Sequence, residues 1–417
     1  MPWTPLLLSM LLIAAAGSPY DPHIPPFKPE SWTEGWYLRI LTDPKESDKD
    51  TPRSFGVIFG STPRALRAWN SSAVMILVQR DPDEPLDVIE TINPGLALTY
   101  RGHEIEGDPS YDAPPDFEAY SPHGVLRACF RRDECSVAVG IGRREALIDC
   151  TGDPESYGPH QESPESWFGR LPSGLTGLHW FVHSMATPVK FKLCRKKDVI
   201  TGRGWMHAEK NWGGTFPDGW VWAQGIGKGG ESKFALAGGV PPSRLPAPEV
   251  WLTGIHVKEL SWRLHPWDPT FYEIKANPCG ESGDPEPYAT FQLTATQPFL
   301  GRQVELFIKS PVRSFTALDT PTNRGFAPES DHSYSGTAKL ELYTLQPCGM
   351  FQRWSSFFRL VFFSKARNVQ GKGVERVLIH SEVIENVALE FGGNKRCEHK
   401  REIVDFDKER EVMMASA

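Results

Sequence analysis

What the chain lacks narrows it first. Beyond Ser18 no apolar run is long enough to cross a bilayer, so no later segment reads as transmembrane. There is no basic tract of the kind that tracks a phosphate backbone. With 45 Lys and Arg against 52 Asp and Glu the formal charge is −7, which argues against nucleic acid as a partner. Arg195-Lys196-Lys197 reads as a solvated turn. No G-x-S-x-G elbow, H-E-x-x-H pair or nucleotide-binding loop occurs, and neither Gly213-Gly214 nor Gly238-Gly239 has P-loop or Rossmann spacing. None of the seven cysteines has zinc spacing, so no metal site is expected, and the acidic residues are too scattered to name a glycosidase pair.

What is present points to strands and to a secreted chain. The 417 residues suffice for two domains or one large all-β domain, and 37 Gly, 37 Pro and 11% aromatics favour many short strands over long helices. Leu6 to Ile13 followed by Ala14-Ala15-Ala16-Gly17-Ser18 reads as a signal peptide over residues 1–18, with an uncleaved anchor as the alternative. That places the mature chain in the endoplasmic reticulum lumen or outside the cell. Seven cysteines suit an oxidising compartment and leave one thiol over; Cys129 with Cys135, and Cys150 with Cys194, are candidate pairs. Asn70-Ser71-Ser72 is a glycosylation sequon.

Alternating runs mark antiparallel strands from Trp32–Leu41 through Ala146–Cys150, a hairpin turned through Met185–Pro188, and further strands from Trp220 to Phe391. A boundary is expected near Lys197, dividing residues 28–197 from 198–393, with a charged tail over 394–417. Two Glu-then-Trp stretches, Glu34-Gly35-Trp36 and Glu209-Lys210-Asn211-Trp212, hint at duplication. The aromatic run Met350 to Phe363 has helical spacing and suits either a cap, a peripheral membrane contact or a plug in a barrel end.

The densest stretch is Trp205 to Gln224, where Glu, Lys and Asn stand among tryptophans. His207-Ala208-Glu209-Lys210-Asn211-Trp212-Gly213-Gly214, then Phe216-Pro217 and Trp220-Val221-Trp222-Ala223-Gln224, resembles the E-K-N-W-G, F-P and W-x-W-x-Q pattern of the tocopherol cyclase family. Trp32-Thr33-Glu34-Gly35-Trp36-Tyr37, His179-Trp180, Ala237-Gly238-Gly239, Pro266-Trp267 and Val387-Ala388-Leu389-Glu390-Phe391-Gly392-Gly393 are similar to further blocks of that family.

The resemblance implies an all-β chain of two lipocalin-like antiparallel halves, barrel or sandwich, enclosing an apolar cavity with few helices. It implies cofactor-independent closure of a chroman or dihydrofuran ring by adding a phenol or quinol oxygen to a prenyl alkene. A secretory signal departs from a plastid setting, which favours a hydrophobic prenylated aromatic secondary metabolite over tocopherol itself. The chemistry needs a proton for the alkene, an acceptor for the phenol proton, and walls that tolerate a tertiary cation. Glu209 and Glu34 are the candidate acids, with Lys210 and His207 beside them; Trp36, Trp180, Asn211, Trp212, Trp220, Trp222 and Gln224 are candidate substrate contacts. On a regular strand Lys210 points away from Glu209, while His207 and Asn211 share its face. Other readings use the same residues: a buried polar network holding strands in register, a lipid or isoprenoid carrier, or a pericyclase.

Overall fold

The computed structural model describes residues 33–45, 51–63, 71–81, 84–92, 97–101, 116–121, 124–130, 135–158, 163–170, 177–195, 198–214, 216–240, 248–265, 267–322, 324–347 and 374–397. The signal stretch, Asn70, the Met350 to Phe363 run and the tail after residue 397 lie outside them.

Two antiparallel sheets account for nearly all of the described chain. The first contains β1 (Thr33–Thr42), β2 (Ser54–Ser61), β3 (Ser72–Gln79), β4 (Asp87–Ile92), β5 (Ala97–Arg101), β6 (Asp116–Tyr120), β7 (Leu126–Phe130), β8 (Cys135–Ile141), β9 (Arg144–Cys150), β10 (Leu178–Arg195) and β11 (Asp198–Gly213). The second contains β12 (Gly219–Ile226), β13 (Ser232–Val240), β14 (Val250–Val257), β15 (Leu260–Leu264), β16 (Phe271–Asn277), β17 (Tyr288–Gln297), β18 (Arg302–Pro311), β19 (Thr316–Thr322), β20 (Gly325–Pro347) and β21 (Val374–Gly393). In each sheet the first strand pairs with the last, β1 with β11 and β12 with β21, and a four-strand meander leads away from that seam. These are the two lipocalin-like halves. Among the described residues no helix is long and apolar enough to cross a membrane.

Burial explains which strands meet. β16 alternates with solvent, as the strand of a one-sided sheet should, whereas every residue of β12 and all but one residue in each of β1, β2 and β3 is buried. Trp36, Leu38 and Ile40 face the first sheet's own core with Phe55 and Phe59. Val221, Phe234 and Phe291 fill the second. The alternate residues, Tyr37, Met75, Trp180, Trp222, Leu252 and Tyr334 among them, form a third cluster between the sheets. Arg39 crosses this layer: from β1 it donates to Gln224 Oε1 at 2.6 Å and to the Asn386 carbonyl, both in the second sheet, and lies over the Tyr334 ring.

Three expectations are corrected here. The first sheet does not end near Lys197: β11, which begins at Asp198, pairs with β1 and β10 in it, and the second sheet begins with β12 at Gly219. The Met185–Pro188 stretch does not turn back; irregularities between Val182 and Thr187 let one strand run from Leu178 to Arg195. The two Glu-Trp stretches are not equivalent positions of a repeat, since Glu34 pairs directly with Trp212 on the neighbouring strand. What repeats is the strand order.

Among the described residues the disulfides are Cys135–Cys150 and Cys279–Cys397, neither of the pairs expected from spacing. Cys135 and Cys150 sit at opposite ends of the β8–β9 hairpin in sequence, and its antiparallel register brings them together. Two such cross-links suit an oxidising compartment.

Candidate active site

A cavity of about 570 Å³ lies in the layer between the sheets. Its wall is apolar and aromatic, with Trp180, Trp220, Trp222, Trp267, Phe168, Phe216 and Phe326 among the lining residues. Among the described residues its lining contains Glu165, Glu209, Glu390 and Asp319 but neither Lys nor Arg.

Glu209 comes from β11, on the face that leaves the first sheet's core. Its register partners Tyr37 of β1 and Val182 of β10 share that face. The Trp180 and Trp222 indoles donate N–H bonds to Glu209 Oε2 at 2.9 and 3.0 Å, and His207 Nε2 lies 3.0 Å from the same oxygen. His207 Nδ1 has no partner, so the tautomer carrying hydrogen on Nε2 leaves only an acceptor unused. Three donors therefore converge on one oxygen, and a proton on this carboxyl belongs on Oε1.

Two further glutamates on the wall are each paired with a histidine. Glu390 of β21 meets His332 Nδ1 at 2.8 Å and accepts the Trp220 indole N–H at 2.6 Å. His332 Nε2 then lies 3.1 Å from the Tyr37 hydroxyl, itself 2.9 Å from the Tyr334 hydroxyl. Burial, and next the neighbouring Tyr334, hold the Tyr37 phenol well above its ordinary value, so it keeps its proton, which it donates to the Tyr334 hydroxyl. Glu165, at the start of a short 3-10 turn (Ser166–Arg170), meets His179 Nδ1 at 2.6 Å and accepts the Trp180 backbone N–H at 2.8 Å. Trp180 thus links Glu165, through its backbone, to Glu209, through its indole.

Of the residues expected from sequence, Glu209, Trp36, Trp180, Asn211, Trp220 and Trp222 line the cavity. Glu34, Lys210, His207, Trp212 and Gln224 are not among its lining residues. Lys210 pairs with Trp36 across β1 and β11, which turns its side chain to the opposite face from Glu209; there its ammonium meets Glu34 at 2.5 Å between the Trp36 and Trp212 rings. Glu34 and Lys210 form a buried ion pair behind the wall. His207 is fully buried and reaches Glu209 from behind the wall, Trp212 packs at a tilt against His179, and Gln224 is held by Arg39.

Tyr37, Glu165, His332 and Tyr334 carry no role in the sequence reading. Glu165 falls in a Pro- and Ser-rich stretch that gives no signal. The alternation Ser330, His332, Tyr334 does carry one, since period two puts all three on a single strand face.

The fold and site define a class: two lipocalin-like halves around an apolar cavity whose wall contains three glutamates, Glu165, Glu209 and Glu390, each beside a histidine. Residues 196–358 match the family described as tocopherol cyclase-like. No curated protein matches the chain. Among solved structures it is similar to CghA with Sch210972, at 11% identity over 87% of this chain and 88% of that one, with a TM-score of 0.49. It is similar also to kievitone hydratase from Nectria haematococca, at 13% identity over 87% of this chain and 89% of that one, with a TM-score of 0.40.

Proposed function

We propose that this chain is a cofactor-independent cyclase that adds a phenol or quinol oxygen to a prenyl alkene within one hydrophobic aromatic molecule. The family match supports a catalytic role of the cyclase kind. The observation that carries the reaction is Glu209: one carboxyl, buried in an apolar wall, with two indole N–H groups on a single oxygen.

The carboxyl proton on Oε1 adds to the less substituted alkene carbon, the alkene π pair forming the new C–H bond. The neighbouring tertiary carbon becomes cationic. A lone pair of the phenol oxygen closes the C–O bond, and the phenol proton returns to the carboxylate. The product is an isomer of the substrate, so no oxidant, reductant or second reactant is consumed. Trp180 and Trp222 donate to the carboxylate left when the proton departs, at the oxygen that did not carry it. Aromatic faces stabilise a passing cation by ~0.5–2 kcal/mol each.

Glu209→Gln keeps the shape and removes the transferable proton. With a geranyl-substituted hydroquinone as probe, the variant is expected to fold normally and to lose about 10²–10⁴-fold in cyclisation rate, the usual contribution of a positioned acid–base group. Wild-type turnover by a folded variant removes Glu209 from the mechanism. Unchanged binding with no turnover in either protein favours a carrier.

A further inference from the structure

The second sheet's side of the cavity contains two hydroxyls with no hydrogen-bond partner. Ser330 of β20 is fully buried and Thr320 of β19 is 8% exposed; both line the cavity, and neither Ser330 Oγ nor Thr320 Oγ1 has a hydrogen-bond partner. Buried polar atoms in folded proteins are nearly always satisfied. Two exceptions on one cavity wall share a cause.

Register places them together. Leu318, two residues before Thr320, pairs with Ser330, and the irregularity between Leu318 and Asp319 brings Asp319, Thr320 and Pro321 all to the lining. On its other side Ser330 pairs with Gly392, two residues along β21 from Glu390, which pairs with His332. The hydroxyls and the Glu390 carboxylate therefore form one polar strip. Gly392 adds no side chain to it, and a Cβ there would meet the Trp220 ring at 1.9 Å.

We propose that Ser330 and Thr320, beside Glu390, form the subsite that seats the oxygen-bearing ring of the ligand, leaving its hydrocarbon tail to the aromatic side chains that line the rest of the cavity. The chemistry of the strip selects the class. Each hydroxyl gives one bond and can accept others, the carboxylate accepts, and no Lys or Arg among the described lining residues balances an anion. The ring end is uncharged and bears hydroxyl or carbonyl oxygens; a carboxylate or phosphate does not fit. This rests on the cavity being the ligand site of the proposed reaction, and it concerns binding and not turnover.

The test uses the full chain and two probes, a geranyl-substituted hydroquinone and geranylbenzene, which lacks both hydroxyls, with binding read from quenching of the cavity tryptophans. The wild type is expected to prefer the hydroquinone. Ser330→Ala and Thr320→Val are each expected to weaken hydroquinone binding about three- to tenfold, the net worth of one hydrogen bond, with geranylbenzene unchanged. The melting temperature stays level or rises, since each change removes an unpaired buried hydroxyl. A fall in melting temperature, an equal loss for both probes, or no preference in the wild type overturns the assignment. Because the readout is binding, a fully active Glu209→Gln variant would sink the acid mechanism and leave this result standing.

Discussion

Glu209 and Lys210 are neighbours in sequence and belong to different environments. Strand alternation sends the carboxyl into the cavity and the ammonium into the first sheet's core, where Glu34 receives it at 2.5 Å. The motif that looks like one catalytic cluster is thus one cavity group and one ion pair supporting it. Breaking such a pair leaves a charge stranded in low dielectric, at about 3–5 kcal/mol. Glu34→Gln is accordingly expected to lower the unfolding free energy by that amount, read from urea titration, while the folded fraction cyclises at close to the wild-type rate. A stable Glu34→Gln variant with no activity would return Glu34 to the chemistry. The double replacement Glu34→Leu with Lys210→Met removes both charges and is expected to recover most of the loss.

At the scale of elements, the strands were legible where one face meets solvent or where apolar runs are continuous, as in Ser72–Gln79. Alternation also predicted that Glu209, His207 and Asn211 share a face, as β11 arranges them. What sequence could not supply was the pairing of distant elements. Glu390 and His332 meet because β20 and β21 are adjacent, and Glu165 reaches His179 from a segment with no periodicity at all. The boundary moved because a basic turn between two strands of one sheet looks the same as a linker.

Near β15 a second contrast is measurable. His265 stacks on Trp267, which stacks on Phe168 of the 3-10 turn. Burial lowers the His265 imidazole below its ordinary 6.5, against the pull of Asp268. The folded state therefore binds this proton less readily than the unfolded chain, so the stability linked to His265 is full above that value and is lost as pH falls through it. Between pH about 7.5 and about 5.5 the wild type is expected to lose stability relative to His265→Gln, at no more than ~1.4 kcal/mol per pH unit for one proton. Parallel urea curves for the two proteins across that range would contradict it.

For the whole molecule, the two sheets repeat one strand order and place their seams on either side of the cavity. β1 with β11 contributes Tyr37 and Glu209; β12 with β21 contributes Trp222 and Glu390. Neither half holds the site alone. Arg39, spanning from β1 to Gln224 and Asn386, fixes the two halves relative to each other. The central claim is that this shared cavity transfers a proton to an alkene carbon. The direct measurement is turnover of the geranyl-substituted hydroquinone in deuterium oxide, with the product analysed by mass and carbon NMR. The account predicts one non-exchangeable deuterium, on the carbon next to the new ether carbon, and none gained by substrate incubated with Glu209→Gln. A cyclised product with no carbon-bound deuterium would contradict it, since a pericyclic closure moves electrons without taking a proton from the enzyme.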